Sequence, residues 1–342
     1  MSGSHSVRPG TRPGLWKWVR LGGGAFILVV IVQRVGADPF LDGVRRVNAT
    51  SLTLALCITA VTTVVSAWRW RLIARGLGLR IPLGTAVASY YRSQFLNSTL
   101  PGGVLGDLHR GVRHGAEADD VSRGLRSVVW DRAAGQIVQV VLATVTLFAL
   151  TSPVRPAMAA IVGVTIAAVA VMALTVLAIA PSGPSWSARL TRAVRADVRA
   201  ALATTHAWPA IVLASTFVVA GHVGVFLVAA GATAEGSPAS IRQLLPLAML
   251  VLLSMVVPIN IGGWGPREGV AAWAFAVTGL GAIQGVETAT TYGVLSLAAT
   301  LPGAVVLVLS RRPRPASLTV PVHAEVPTGT LMETGSRRGA HG

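Results

Sequence analysis

The chain has 342 residues, of which 52% are apolar and only 12% charged, with a formal net charge of +16. Uncharged runs recur at the roughly 20-residue length that crosses a bilayer core of about 30 Å, and so little charge could not keep a soluble helical protein of this size dispersed. The composition excludes a soluble globular domain and turns the positive charge from a nucleic-acid signal into one of membrane topology and anionic lipid.

In chain order, residues 1–15 are rich in Gly, Pro, Ser and Arg without apolar periodicity and predict a disordered tail, ahead of a membrane domain over 16–311. The first apolar run, 19–34, ends on Gln33 and Arg34 with no small-residue cleavage site behind it, so it reads as a retained span and not a signal peptide. A short loop with Asp38 and Asp42 leads to a span at 51–68 holding the only cysteine, Cys57, which leaves no disulfide framework and no Cys-based zinc site. The segment 83–114 is interrupted at Leu100, Pro101, Gly102 and Gly103, and spans at 130–150 and 157–180 follow. Arg189, Arg192, Arg195 and Arg199 then have the spacing of an amphipathic helix on anionic lipid. A span at 208–231 contains His222, expected to bond between helices more than to relay protons. The segment 243–281 is broken by Pro258, Gly262, Gly263, Trp264, Gly265 and Pro266, the last span is 287–309, and 312–342 resembles the first tail in composition.

Both interrupted segments hold ionisable residues that insertion into lipid would penalise by about 2.5–3.5 kcal/mol each. They are predicted to be re-entrant hairpins, two half-helices and an irregular tip, since such backbone survives at membrane depth only under protein or beside a wet cavity. The expected fold is an all-α integral membrane protein of about six transmembrane helices plus two re-entrant helical hairpins. The basic residues give its orientation. Lys17 and Arg20, Arg69 to Arg80, Arg110 to Arg126, Arg189 to Arg199 and Arg311 to Arg314 fall on one side, and Arg34, Arg45, Arg46, Arg155 and Arg242 on the other. The positive-inside rule is met if the first hairpin returns to the inside and the second to the outside, with both termini cytoplasmic. The order span, span, hairpin, span then repeats once in inverted orientation, as in transporters that bind at the repeat interface. Trp16, Trp18, Trp68, Trp70, Trp130 and Trp208 fall where an aromatic belt would stand.

In the first hairpin a helix from Leu83 to Asn97 carries Arg92 about 14 Å in at 1.5 Å per residue, where it needs a partner. Asp107, Arg110 and His114 share one face of the returning helix. Gly102, Gly103 and Gly106 let backbone amides approach a ligand, and the helix start offers free N–H groups and a positive dipole end. These parts suit an anionic phosphate, and they equally suit a structural turn in which Asp107 holds Arg92 or Arg110. In the second hairpin Pro266 suits the first helical position and Glu268 the first turn, with Arg267 left as a cation able to grip phosphate bidentately. The competing reading has Glu268 capping its own helix and pairing with Arg267. Asp131 and Arg132, at the start of the 130–150 span, read chiefly as interface anchors. His109 and His114, five apart, make a poor metal pair, and neither metal nor cofactor is implied.

The stretch Arg92, Asn97, Leu100, Pro101, Gly102, Gly103, Gly106, Asp107, Arg110, then Asp131 with Arg132, then Pro258, Gly262, Gly263, Gly265, Arg267 and Glu268 resembles the transmembrane domain of the lysylphosphatidylglycerol synthase/flippase family over about residues 20–310. Asp107 stands where Glu is more usual, and Asp131–Arg132 replaces Glu and Arg; both changes keep the charge. The best-known members fuse this domain to a soluble aminoacyl-lipid synthase that is missing from the chain, so the resemblance implies the flippase-like half without lipid aminoacylation. The expected protein of the cell inner membrane binds and flips a phosphate-bearing lipid, an anionic phospholipid or a polyprenyl-phosphate-linked lipid, and a lipid-modifying enzyme is its expected partner. Its substrate-binding set is Arg92, Asn97, Gly102, Gly103, Asp107, Arg110, Arg132, Gly263, Arg267 and Glu268.

Enzymatic activity is not expected. Lys17 is the only lysine, so no phosphate-binding loop with its lysine exists, and neither a Gly-x-Ser-x-Gly elbow nor an Asp-x-Asp pair occurs. The alternatives are a polyprenyl-phosphate-dependent glycosyltransferase using Asp38 or Asp42 as base, and a membrane scaffold that transports nothing.

Overall fold

The structure is a computed structural model that describes residues 36–100, 103–150, 153–154, 207–234, 239–256 and 264–309, with a few isolated positions besides. Its elements are the helices α1 (Asp38–Arg45), α2 (Ala49–Gly76), α3 (Leu83–Thr99), α4 (Leu105–Glu117), α5 (Val121–Ala149), α6 (Ala207–Thr233), α7 (Ile241–Ser254), α8 (Pro266–Val277), α9 (Ala282–Thr300) and α10 (Pro302–Leu309). The expected spans 19–34 and 157–180, the arginine run 189–199, both tails, and Gly102 and Gly263 lie outside the described residues.

Among the described residues four helices are long and apolar enough to cross a membrane: α2, α5, α6 and the continuous stretch Ala282–Leu309 formed by α9 and α10. Local chemistry sets their ends. Asn48 caps α2, its side chain accepting from Ser51 N at 2.9 Å while Ser51 Oγ accepts from Asn48 N at 3.1 Å. At the other end Gly78 takes a left-handed φ of +83°. That turn lets Gly78 N reach Arg75 O at 2.9 Å and Leu79 N reach Ala74 O at 2.8 Å, the paired bonds that close a helix. Asp120 accepts from Arg123 N at 2.9 Å and starts α5 at Val121, nine residues before the apolar run that marked the expected span. This early start moves Asp131 from a helix end to its third turn.

The interrupted segments each form two short helices. α3 and α4 have 17 and 13 residues, and α7 and α8 have 14 and 12. Glycines allow the close crossings. A Cβ at Gly106 would lie 2.1 Å from Ser93 O, which locks α4 onto α3, and one at Gly124 would lie 2.2 Å from Gly111 O, where α5 crosses α4. Gly106 therefore serves helix packing, and its amide already donates to Asn97 Oδ1 at 2.8 Å instead of waiting for a ligand.

The two halves repeat one packing scheme. α2 packs on α3, α4 on α5 and α2 on α5; correspondingly α6 packs on α7, α8 on α9 and α6 on α9. The halves also exchange partners: α3 rests on α9 and α10, α7 rests on α5, α2 touches α9 and α6 touches α5. At the centre α2 and α6 run antiparallel, with Arg69 against Ser215, Thr62 against Gly221 and Ile58 against Gly224.

The cores of the halves differ. α7 is buried on every side from Leu247 to Ser254 and packs with Phe226, Phe275 and Tyr292 into a large apolar cluster. The first half instead has a small cluster around Trp70, Ala74, Ala86 and Val128, beside a group of buried charges.

Candidate functional site

α4 presents one face inward. Gly106, Asp107, Arg110, Gly111, His114 and Gly115 are its buried residues, the i, i+3, i+4 pattern expected from the spacing of Asp107, Arg110 and His114. Asp107 is the third residue of α4, where a carboxylate meets the positive end of the helix. Ser93 Oγ donates to its Oδ1 at 2.8 Å, and Asn97 Nδ2 to its Oδ2 at 3.0 Å. Arg110 Nη2 lies 3.3 Å from Oδ1, and Arg132 Nε donates to Oδ2 at 2.6 Å with Nη2 of the same guanidinium on that oxygen too. The ion pairs of Asp107 thus go to Arg110, one of the two partners the sequence offered, and to Arg132, and not to Arg92. Arg92 is itself buried on α3, with Arg113 and Glu117 as the charges that reach it.

A second carboxylate completes the group. Asp131 is fully buried and receives Arg69 Nε at 2.9 Å, Tyr90 Oη at 2.6 Å and Arg110 Nη2 at 3.2 Å. Arg110 bridges the two acids and stacks its guanidinium 4.1 Å from the Tyr90 ring centre and 4.4 Å from that of Trp70. Its Nε and Nη1 have no hydrogen-bond partner, and the two aromatic faces are what they have in place of one. Arg69 Nη1 donates on to Ser215 Oγ at 3.0 Å, tying the network to α6. Three arginines and two aspartates from three helices, α2, α4 and α5, therefore form one connected cluster with a surplus positive charge.

This overturns three expectations. Asp131 is the hub of the cluster and not an interface anchor. Arg69 is buried in it and not a topology charge at a helix end. Trp70 is fully buried with Nε1 donating to Ser127 Oγ at 3.1 Å, so it does not belong to an aromatic belt; Trp68 and Trp208 are 37% and 41% exposed. Tyr90 and Ser93 were not singled out in the sequence; their only signal is that they sit on α3 around Arg92.

The cluster has an open side. The Arg132 side chain is 35% exposed whereas its partner Asp107 is 9% exposed, so one charged fork of the network is held by a buried acid and still offers nitrogens outward. His114 flanks the cluster, with Nε2 2.8 Å from Ser89 Oγ and Nδ1 2.9 Å from Glu117 Oε2.

The second hairpin is closed. Glu268 is the third residue of α8, and its Oε2 accepts from Gly265 N at 2.7 Å. Arg267 Nε donates to Glu268 Oε1 at 2.9 Å, with Nη2 on the same atom, so Arg267 is a paired cation and not the unpaired one expected. Its guanidinium lies 4.6 Å from the Trp264 ring centre and against Gly293, where a Cβ would be 2.1 Å from Nη2. Arg267 is 2% exposed and Glu268 0%. The geometry is that of the capping and pairing alternative.

Among the described residues no group of His, Cys, Asp and Glu could hold a metal ion. Gly103, with φ +62°, precedes α4 at the edge of the first site. No curated protein matches the chain. Residues 17–303, which include both hairpins and all but the last helix, match the lysylphosphatidylglycerol synthase TM region, and the chain belongs to that family.

Proposed function

We propose that the protein binds the phosphate of a lipid or lipid-linked headgroup at the Asp107–Arg132 end of the first hairpin and moves it between leaflets. The membership of a family named for lipid chemistry supports a membrane protein of lipid metabolism or transport. The observation behind the finer reading is Arg132: a guanidinium anchored on a buried carboxylate and 35% exposed is poised to share its fork with an incoming phosphate. Arg110 and Arg69 keep the surrounding field positive, so an anion gains attraction without having to separate Asp107 or Asp131 from all their partners.

The fold supports transport more than static binding. α4, α7 and α8 span about 20, 21 and 18 Å at 1.5 Å per residue, short of a core of about 30 Å, so we read both hairpins as re-entrant. With spans at 19–34 and 157–180 added, the topology is six spans and two hairpins of opposite orientation, both termini cytoplasmic. Such an inverted pair gives two conformations of equal architecture, one open to each side. No catalytic role is assigned: Asp131 and Asp107 are both saturated by donors, and neither is free to act as a base.

The test is purified full-length protein in liposomes carrying headgroup-labelled phosphatidylglycerol or a polyprenyl-phosphate sugar. Movement of label across the bilayer without any new covalent product is the expected result. A transferred sugar in the products would establish the glycosyltransferase alternative, and an unmoved label with every headgroup would leave a scaffold.

A further inference from the structure

We infer that the end of α2 holds a second phosphate site, separate from the hairpin cluster, which takes the phosphodiester of an anionic phospholipid from the leaflet it borders. Arg71, Arg75, Gly78, Arg80, Ile81 and Pro82 line an open cavity of about 770 Å³. Among the described residues no acid pairs with Arg71, Arg75 or Arg80. The Nε of Arg71 is buried without a hydrogen-bond partner. A fourth guanidinium, that of Arg123, comes to the rim at Gly78, although Asp120 already holds it at 3.1 Å. Three unmatched positive charges thus converge on one space large enough for a headgroup.

Of the three, only Arg75 lies in the last turn of α2, and the carbonyls of Arg75 and Ala74 there already accept from Gly78 N and Leu79 N. The left-handed Gly78 also turns the chain sharply, which brings Arg80 back beside Arg71 and Arg75 instead of leaving it on a trailing loop. Guanidinium pairs are suited to clasp a phosphate through parallel N–H donors. The cluster lies on the face of α2 opposite Arg69: Arg71, Arg75 and Gly78 recur at four and three residues, whereas Arg69 points to α5. The site is therefore independent of the hairpin cluster. It adds to the flippase reading a place where an anionic lipid is held at the surface without being moved.

The experiment is native mass spectrometry of full-length protein released from detergent, titrated with dioleoylphosphatidylglycerol. The parent is expected to hold a lipid that Arg71→Gln/Arg75→Gln/Arg80→Gln binds about tenfold or more weakly, that the matching triple Arg→Lys protein also binds more weakly, and that Arg132→Gln keeps. Arg80→Gln alone, outside any helix, is expected to weaken it by several-fold with the helical circular dichroism unchanged. Equal binding by the triple Arg→Gln protein would overturn the site, and equal binding by the triple Arg→Lys protein would reduce it to diffuse charge. Displacement by millimolar inorganic phosphate would reassign it to a soluble anion. A flippase reading that fails shows itself separately, as unmoved label in liposomes with this binding intact.

Discussion

Asp107 and Glu268 hold the same place in the two halves: each is the third residue of the helix that leaves its glycine-rich turn, each is buried, and each is bound to arginine. Their surroundings then diverge. Glu268 meets one arginine and one backbone amide from its own turn, which closes the site on itself. Asp107 draws on Ser93, Asn97, Arg110 and Arg132 from three helices, and one of those arginines reaches the surface. One scaffold element is closed on itself in one half and open to the surface in the other.

The hub position of Asp131 gives the first prediction. Asp131→Asn leaves Arg69 and Arg110 buried with no full charge opposite them at that point, and breaking a buried pair from one side costs about 3–5 kcal/mol. Adding Arg69→Gln removes one of the stranded cations, so the double variant should be less destabilised than the sum of the singles. Thermal or denaturant melts of the three proteins in one detergent measure this; additive losses would show that the two side chains are not coupled.

The glycine crossings give a second. Gly106→Ala puts a methyl on the Ser93 carbonyl, a backbone atom that cannot swing away, and should cost several kcal/mol or abolish folded protein. Gly84→Ala, on the exposed start of α3 with nothing within 4 Å, should be neutral or raise stability by about 0.5–1 kcal/mol through lost chain entropy. Equal yields and melting points for the two variants would contradict the close α3–α4 contact.

How far the sequence revealed these features depended on what hydropathy can register. The expected spans 51–68, 208–231 and 287–309 fall inside α2, α6 and α9–α10 because uninterrupted apolar runs report length directly. The breaks between the hairpin limbs were legible from the clustered Pro and Gly at 101–103 and 262–266, which together disfavour one continuous helix. Asp131 was misplaced because the polar first turns of α5, from Val121 to Arg126, lack the apolar run that marks a span. Arg69 and Trp70 were misread for a different reason: a basic and an aromatic residue near a span end match the pattern of interface anchors, and only the neighbouring helices decide that they face inward. Of the two arginines on Asp107, Arg110 was legible from its i, i+3 spacing, whereas Arg132 was beyond local spacing, being 25 residues away on another helix.

Arg132 supplies the functional prediction. Its side chain is partly exposed, so Arg132→Lys should fold in normal yield, keep the pair with Asp107, and still transport several-fold more slowly because the bidentate fork is lost. Arg132→Gln should transport least. Initial rates of label movement at equal protein density separate these, and a lysine protein as fast as the parent at every headgroup concentration would remove Arg132 from the binding site.

Glu268 should behave in the opposite way. Glu268→Gln strands the fully buried Arg267 and weakens the cap on Gly265 N, so its main effect is a loss of stability of about 3–5 kcal/mol. For the fraction that folds, the dependence of transport on pH should match that of the parent, because both oxygens of Glu268 are occupied by fixed donors. A shifted pH profile in the glutamine protein would instead make Glu268 a proton carrier.

The orientation of the first hairpin can be settled by labelling in the background Cys57→Ser, which removes the only native thiol. Val44→Cys and Ala118→Cys lie on exposed parts of α1 and just after α4. The charge count places residue 44 outside and residue 118 in the cytoplasm, so an impermeant maleimide added to intact cells should label 44 and spare 118. Val104→Cys, at the tip that precedes α4, decides between a re-entrant hairpin and a full crossing. A 13-residue return limb reaches only about 20 Å, so the tip stays within the membrane and should resist the reagent from outside. Labelling at 104 as fast as at 44 would mean that α3 crosses completely, and the first hairpin would then be two spans.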